Sequence, residues 1–126
     1  MAIIKTDKAP AAIGPYIQGV KLGNLVITSG QLPLDPESKQ IPSDVAEQTT
    51  RSLLNALAIV EEAGLSIYDF VKTTVFVKDL NEFSVINESY QAFFAQRGAD
   101  FPARSCVEVA RLPMDVKVEI EVMASR

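Results

Sequence analysis

The sequence predicts an α+β fold in which two helices pack on one face of a mixed β-sheet. Three observations predict it: an element order of hairpin, helix, strand, helix, strand, strand; two segments with apolar residues at helical spacing; and two C-terminal segments with strict apolar/polar alternation. At 126 residues, with no internal repeat and no linker-like stretch, the chain reads as a single domain over 1–126.

The elements follow in order. Tyr16 to Leu22 and Leu25 to Ser29 flank Gly23-Asn24, a two-residue turn whose members tolerate positive φ, so an early hairpin is expected. Gly30 to Pro42, with three prolines, reads as a loop. Ser43 is placed as the N-cap of the first helix, with Asp44 and Glu47 near the positive end of its dipole. Val45, Thr49, Leu53, Ala56, Leu57 and Val60 then recur at helical spacing as far as Gly64, a suitable C′ residue. Phe70 to Lys78 is β-branched and aromatic, hence a strand, and Asp79 with Glu82 has the form of a capping box. The second helix carries a stripe of Phe83, Ile86, Tyr90, Phe93 and Phe94 and ends at Gly98.

Ala103 to Val109 and Val116 to Ala124 alternate. Val107 and Val109 oppose Arg104, Cys106 and Glu108; Val118, Ile120 and Val122 oppose Lys117, Glu119 and Glu121. The valine faces are expected to meet the helices. The other face, carrying Arg104, Cys106, Glu108 and Glu119 among apolar residues, is expected to be partly covered by another subunit.

Composition removes several functions. The net charge is −4, and no run of Lys or Arg exists to neutralise successive phosphates, so nucleic acid is not an expected partner. One cysteine, Cys106, excludes an internal disulfide and a multi-cysteine metal cage, and fits a reducing compartment. No apolar run approaches the roughly 20 residues that span a bilayer, and the start turns polar too soon for a secretory signal, so the chain reads as cytoplasmic. With no histidine, Ser-His-Asp triads, Cys-His dyads and His-ligated metals are all excluded. Chemistry here must run on carboxylates, Arg, Tyr, backbone groups and water.

Arg104 and Glu119 are the first candidates. A guanidinium on that face can bind a carboxylate through two parallel hydrogen bonds, or the two residues can form a cross-strand ion pair; the residues alone leave both open. Asn87 lies within an apolar stripe and needs partners, either to hold a loop or to face a pocket. Cys106, with no histidine beside it, reads as a small hydrophobe before a nucleophile. Gly30, in Thr28-Ser29-Gly30-Gln31, allows a close approach of ligand or backbone, and Tyr16 after Gly14-Pro15 packs in a core or at a pocket rim.

Ala9-Pro10-Ala11-Ala12-Ile13-Gly14-Pro15-Tyr16, Thr28-Ser29-Gly30-Gln31, Val77-Lys78-Asp79-Leu80-Asn81 and above all Phe101 to Pro113, FPARSCVEVARLP, together resemble the reactive intermediate deaminase (Rid, formerly YjgF) family over about residues 9 to 124. The resemblance implies a chorismate-mutase-like α+β fold assembled as a homotrimer, with a ligand site in each cleft between subunits. It implies hydrolysis of 2-iminobutanoate and 2-iminopropanoate to 2-oxo acids and ammonia, which protects pyridoxal-phosphate enzymes from these intermediates, without metal or organic cofactor. It assigns Arg104 to the substrate carboxylate, Glu119 to water or a proton, and Tyr16, Ser29, Gly30, Asn87 and Cys106 to the cleft. The departures noticed, Tyr68 and Met114, lie outside those positions. Two other readings stand beside it: a non-enzymatic trimer that binds or senses 2-oxo acids, and an endoribonuclease, which the acidic charge and missing histidine disfavour.

Overall fold

The computed structural model describes residues 1–126. Six strands and two helices follow one another as β1 (Ala2–Ile4), β2 (Gly19–Leu22), β3 (Leu25–Thr28), α1 (Val45–Glu62), β4 (Phe70–Val77), α2 (Phe83–Ala95), β5 (Ala103–Glu108) and β6 (Val118–Ser125). The sheet runs in the order β1-β2-β3-β6-β4-β5; β4 and β5 are parallel and every other pair is antiparallel. This is the mixed sheet that the element order predicts. The short β1 went unread, because three residues are too few for alternation to show.

Local chemistry explains the elements. Gly23 takes φ 57° in the hairpin turn, and Gly64 takes φ 87° after α1, conformations that a side chain would strain. The caps differ from expectation. Asp44, not Ser43, caps α1, its carboxylate accepting from the Ala46 N–H at 3.0 Å, while the Ser43 carbonyl accepts from Lys117 Nζ at 2.9 Å. Asp79 accepts from the Asn81 N–H and caps a single 3₁₀ turn, after which α2 starts without a side-chain cap. Glu82 does not accept from the Asp79 N–H, so the box stays open; the next N–H, of Leu80, donates to Glu108 Oε1 at 2.9 Å.

Both helices lie on the same face of the sheet. α1 crosses β6 and β3, and α2 packs against α1. The core between them contains Leu53, Ile59, Phe93 and Phe94 from the helices and Val26, Val75, Val77, Val118, Ile120 and Val122 from the strands. Burying each large apolar side chain contributes about 1.5–3 kcal/mol. Gly19 is glycine for close approach: a Cβ there would stand 2.7 Å from Ile59 Cγ2 of α1.

The register assigns every side chain to a face, and it corrects one expectation. In β4–β5 Thr73 stands beside Arg104 and Val75 beside Cys106. Thr73 and Val75 are fully buried under the helices, so Arg104, Cys106 and Glu108 point to the helix side. Val107, expected inward, lies on the open face and is 43% exposed. The reason is position in the sheet. β5 is an edge strand, so its helix-side residues meet only the outer flank of α2, where polar groups reach water.

Glu119 lies on the opposite side of the sheet. It pairs with Phe76, between the buried Val118 and Ile120, and therefore projects to the open face. Ile3, Val20, Ile27 and Met123 form a row across that face, through four strands in direct register.

Candidate functional site

The structure divides the seven candidate residues into two groups. On the helix side, at the β5 edge, it brings Arg104, Asn87 and Cys106 together. Arg104 Nη1 donates to Asn87 Oδ1 at 2.7 Å, which gives the amide within the α2 stripe the partner it requires. The Arg104 guanidinium carbon also lies 4.9 Å from the Tyr90 ring centroid and 5.5 Å from that of Phe83. Phe83, Asn87 and Tyr90 follow one another at i, i+4 and i+7, so α2 presents all three to the same side chain.

No acidic side chain pairs with Arg104. The ion pairs of the chain are Arg51–Asp35, Lys78–Asp115 and Arg126–Asp69. A cross-strand pair with Glu119 is ruled out, because the sheet separates them. The guanidinium is thus braced by one amide oxygen and two aromatic rings, with donors left over in a planar fork that matches a carboxylate. Burial pushes the Cys106 thiol up, and Arg104 draws it only partly back. It remains a neutral thiol near neutral pH, suited to packing and not to attack.

On the open face the chain brings Gly30 and Glu119 together, with Ser29 next to Gly30 in sequence and the Tyr16 segment bonded to Ser29. Just beyond β3, Gln31 pairs with Ile120: its N–H donates to the Ile120 carbonyl at 2.8 Å and its carbonyl accepts from the Ile120 N–H at 3.1 Å. The register there is offset by one residue from the Ile27–Met123 pairing, a bulge across which Thr28 Oγ1 accepts from the Val122 N–H. That geometry lays Gly30 against the Glu119 carboxyl. A Cβ at Gly30 would collide with Oε2 and stand 2.9 Å from Cδ, so glycine is required for the carboxyl to occupy this place.

Ser29 is held by its N–H on the Gln18 carbonyl, and its hydroxyl donates to the Ile17 carbonyl, which brings Tyr16 alongside. The Tyr16 segment is anchored by the buried Gln18 side chain, which accepts from the Thr6 N–H at 2.7 Å and donates to the Pro10 carbonyl at 2.8 Å. The loop after Gly30 is fixed by Asn55 of α1, whose amide donates to the carbonyls of Leu32 and Leu34, each at 2.9 Å. Tyr16 itself is 48% exposed, at a rim. Burial, and secondarily the neighbouring Glu121, push the Glu119 carboxyl above its ordinary value. A carboxyl so placed exchanges protons closer to neutral pH than a free glutamate does.

Sequence reasoning missed Phe83, Tyr90 and Thr73 as neighbours of Arg104. The helical spacing of Phe83 and Tyr90 around Asn87 carries the signal, but the same spacing also fits two core aromatics.

Fold and site together define a class: an α+β protein with an unpaired, ring-braced arginine at one edge of a mixed sheet and a carboxyl of raised pKa on the far face. The chain belongs to the family described as Endoribonuclease L-PSP, whose model matches residues 6–126, and among its members to the reactive intermediate deaminases. It is 63% identical over 123 residues to a 2-iminobutanoate/2-iminopropanoate deaminase of Escherichia coli K12, covering 98% of this chain and 96% of that protein. The crystal structure of the E. coli YjgF gene product superimposes with a TM-score of 0.98 at 61% identity, covering 100% of this chain and 99% of that one. E. coli TdcF with bound serine superimposes equally well, with a TM-score of 0.98 at 56% identity over 100% and 99% of the two chains.

Proposed function

We propose that the protein is a 2-iminobutanoate/2-iminopropanoate deaminase whose site is completed between neighbouring copies of the chain. The observation that carries the reading is the unpaired Arg104 fork on one face of the sheet and the glycine-backed Glu119 carboxyl on the other. A 2-imino acid is only about 5 Å long, by the sum of its bonds. It cannot reach both groups through a sheet. When the open face of one copy meets the β5 edge of the next, the two groups come to the same cleft. Such a contact joins unlike surfaces and closes as a ring with one site per interface, and the homotrimer that the family resemblance implies is a ring of this kind.

Arg104 grips the substrate carboxylate, with Asn87 holding the guanidinium and Cys106 closing the floor. Tyr16, Ser29 and Gly30 enclose the imine end. A water beside the Glu119 carboxylate attacks the imine carbon, and Glu119 takes a proton from that water. It then returns that proton to the amine nitrogen of the carbinolamine and takes the remaining hydroxyl proton as the C–N bond breaks, so that a carbonyl forms and ammonia leaves. Imine plus water gives 2-oxo acid plus ammonia, so no redox partner is required. The effect is mainly orientation and proton transfer, which suits a chain without histidine.

A second reading, a trimer that binds 2-oxo acids without turnover, draws on the same fork. An endoribonuclease is disfavoured, because a chain of net charge −4 has no run of Lys or Arg that could form a basic track. No helix is long and apolar enough to cross a membrane. A cytoplasmic setting, where pyridoxal-phosphate dehydratases acting on threonine or serine release these imines, fits the single free thiol.

The test is a coupled assay with threonine, a threonine dehydratase and a nucleophilic trap that competes for the imine. The protein is expected to speed formation of 2-oxobutanoate and to cut the trapped adduct. An unchanged rate together with measurable 2-oxobutanoate binding would favour the sensor.

A further inference from the structure

Under Arg104 lies a buried polar pair, one hydroxyl from β4 and one from α2. Thr73 of β4 is fully buried, stands beside Arg104 in the β4–β5 register, and has its Oγ1 2.7 Å from the Tyr90 hydroxyl. Tyr90 is 5% exposed, and its ring packs against Phe94 with centroids 4.9 Å apart. Ring and hydroxyl are therefore both fixed, one by Phe94 and the other by Thr73. Burial pushes the Tyr90 phenol above its ordinary value, so it stays neutral across the working range of pH.

Packing alone does not call for these residue types. The neighbouring inward positions of β4 are Val75 and Val77, and the neighbouring aromatics of α2 are Phe93 and Phe94. Valine at 73 and phenylalanine at 90 would fill nearly the same volume without burying two hydroxyls. A buried hydroxyl without a partner costs on the order of 1–3 kcal/mol, so each of these two makes sense only with the other present.

We infer that Tyr90, locked by Thr73, is a positioning residue that sets the plane of the Arg104 guanidinium for a substrate carboxylate. The hydrogen bond to Asn87 fixes one arm of the fork but leaves the plane free to swing about that arm. The Tyr90 ring face supplies the second constraint, and a cation over a desolvated ring is held more firmly than one in water. This inference rests on the reading of Arg104 as the carboxylate ligand.

The experiment compares Tyr90→Leu, Tyr90→Phe and Thr73→Val with wild type. It measures 2-oxobutanoate affinity by calorimetry, kcat and KM in the coupled assay, and the melting temperature. Tyr90→Leu is expected to raise Kd and KM about tenfold, the equivalent of one desolvated cation–ring contact, with kcat within about twofold. Tyr90→Phe and Thr73→Val are each expected to raise Kd about threefold, and the double variant no further, because both delete one bond. A purely structural pair would lower the melting temperature and leave Kd unmoved.

A folded Tyr90→Leu protein with wild-type Kd overturns the inference. If that variant fails to fold, wild-type Kd in both Tyr90→Phe and Thr73→Val overturns it. An Arg104→Ala control separates the two levels: lost binding there with unchanged binding in the Tyr90 variants leaves the site reading standing and removes the positioning role. Absence of binding by wild type overturns both.

Discussion

Replacing Arg104 with lysine is expected to lower kcat/KM about 100-fold while leaving the melting temperature within about 2 °C of wild type. Lysine keeps the charge and loses the rest. It cannot offer two parallel donors to a carboxylate, cannot lie flat against Tyr90 and Phe83, and cannot hold Asn87 and substrate in one plane. A charge-assisted hydrogen bond contributes roughly 1.5–3 kcal/mol, and losing the bidentate geometry forfeits about two such units in part, hence the two orders of magnitude. Stability is spared because Arg104 forms no ion pair, stands at a sheet edge, and bonds an Asn87 amide that is only half-buried, so water can replace the lost donor. Steady-state kinetics in the dehydratase-coupled assay, alongside a thermal melt, check both halves. Near-normal turnover would mean that another group holds the carboxylate.

The second large effect is at Glu119. Glu119→Gln is expected to lower kcat about 100-fold, within the range for a general acid–base group, and to change 2-oxobutanoate affinity less than about threefold. It carries a stability signature of opposite sign. Because the folded protein holds this carboxyl above its ordinary 4.5, the native state binds the proton more tightly than the unfolded chain does. Stability contributed by Glu119 therefore falls as pH rises from 4.5 through the raised folded value. The glutamine variant escapes that loss. It is expected to melt higher than wild type at pH 8 and to lose the advantage near pH 4, while the acid limb of the wild-type rate profile, displaced above 4.5, disappears. Equal melting at both pH values would mean that folding does not raise the Glu119 carboxyl above its ordinary value.

The sequence made the architecture legible where local rules act alone. Gly23-Asn24 determines its hairpin, the stripe from Val45 to Val60 determines α1, and the alternation in β6 puts Val118, Ile120 and Val122 inside. The same alternation misled in β5. There it points Val107 inward, whereas Val107 stands exposed on the open face of this edge strand, where apolarity no longer marks the core side. One residue of phase puts Arg104 on the wrong face, and with it the relation between Arg104 and Glu119. Only the strand register supplies it. Ser43 and Asp44 are both good capping residues, and adjacent positions cannot be told apart by type: the first helical bond runs from the Gln48 N–H to the Asp44 carbonyl, which makes Asp44 the cap. The sequence offers all seven candidate residues, but not their division between the two faces of the sheet, because that depends on which strand lies at the edge.

That division is tested most directly by mixing two inactive proteins. Arg104→Ala and Glu119→Gln, unfolded together in equal amounts and refolded, give rings in which about one interface in four joins an intact Arg104 to an intact Glu119 of the next copy. Recovery of about a quarter of wild-type activity is the predicted result. A refolded mixture no more active than its parents, at wild-type oligomeric size, would show that both residues serve one protomer's site and would contradict the account.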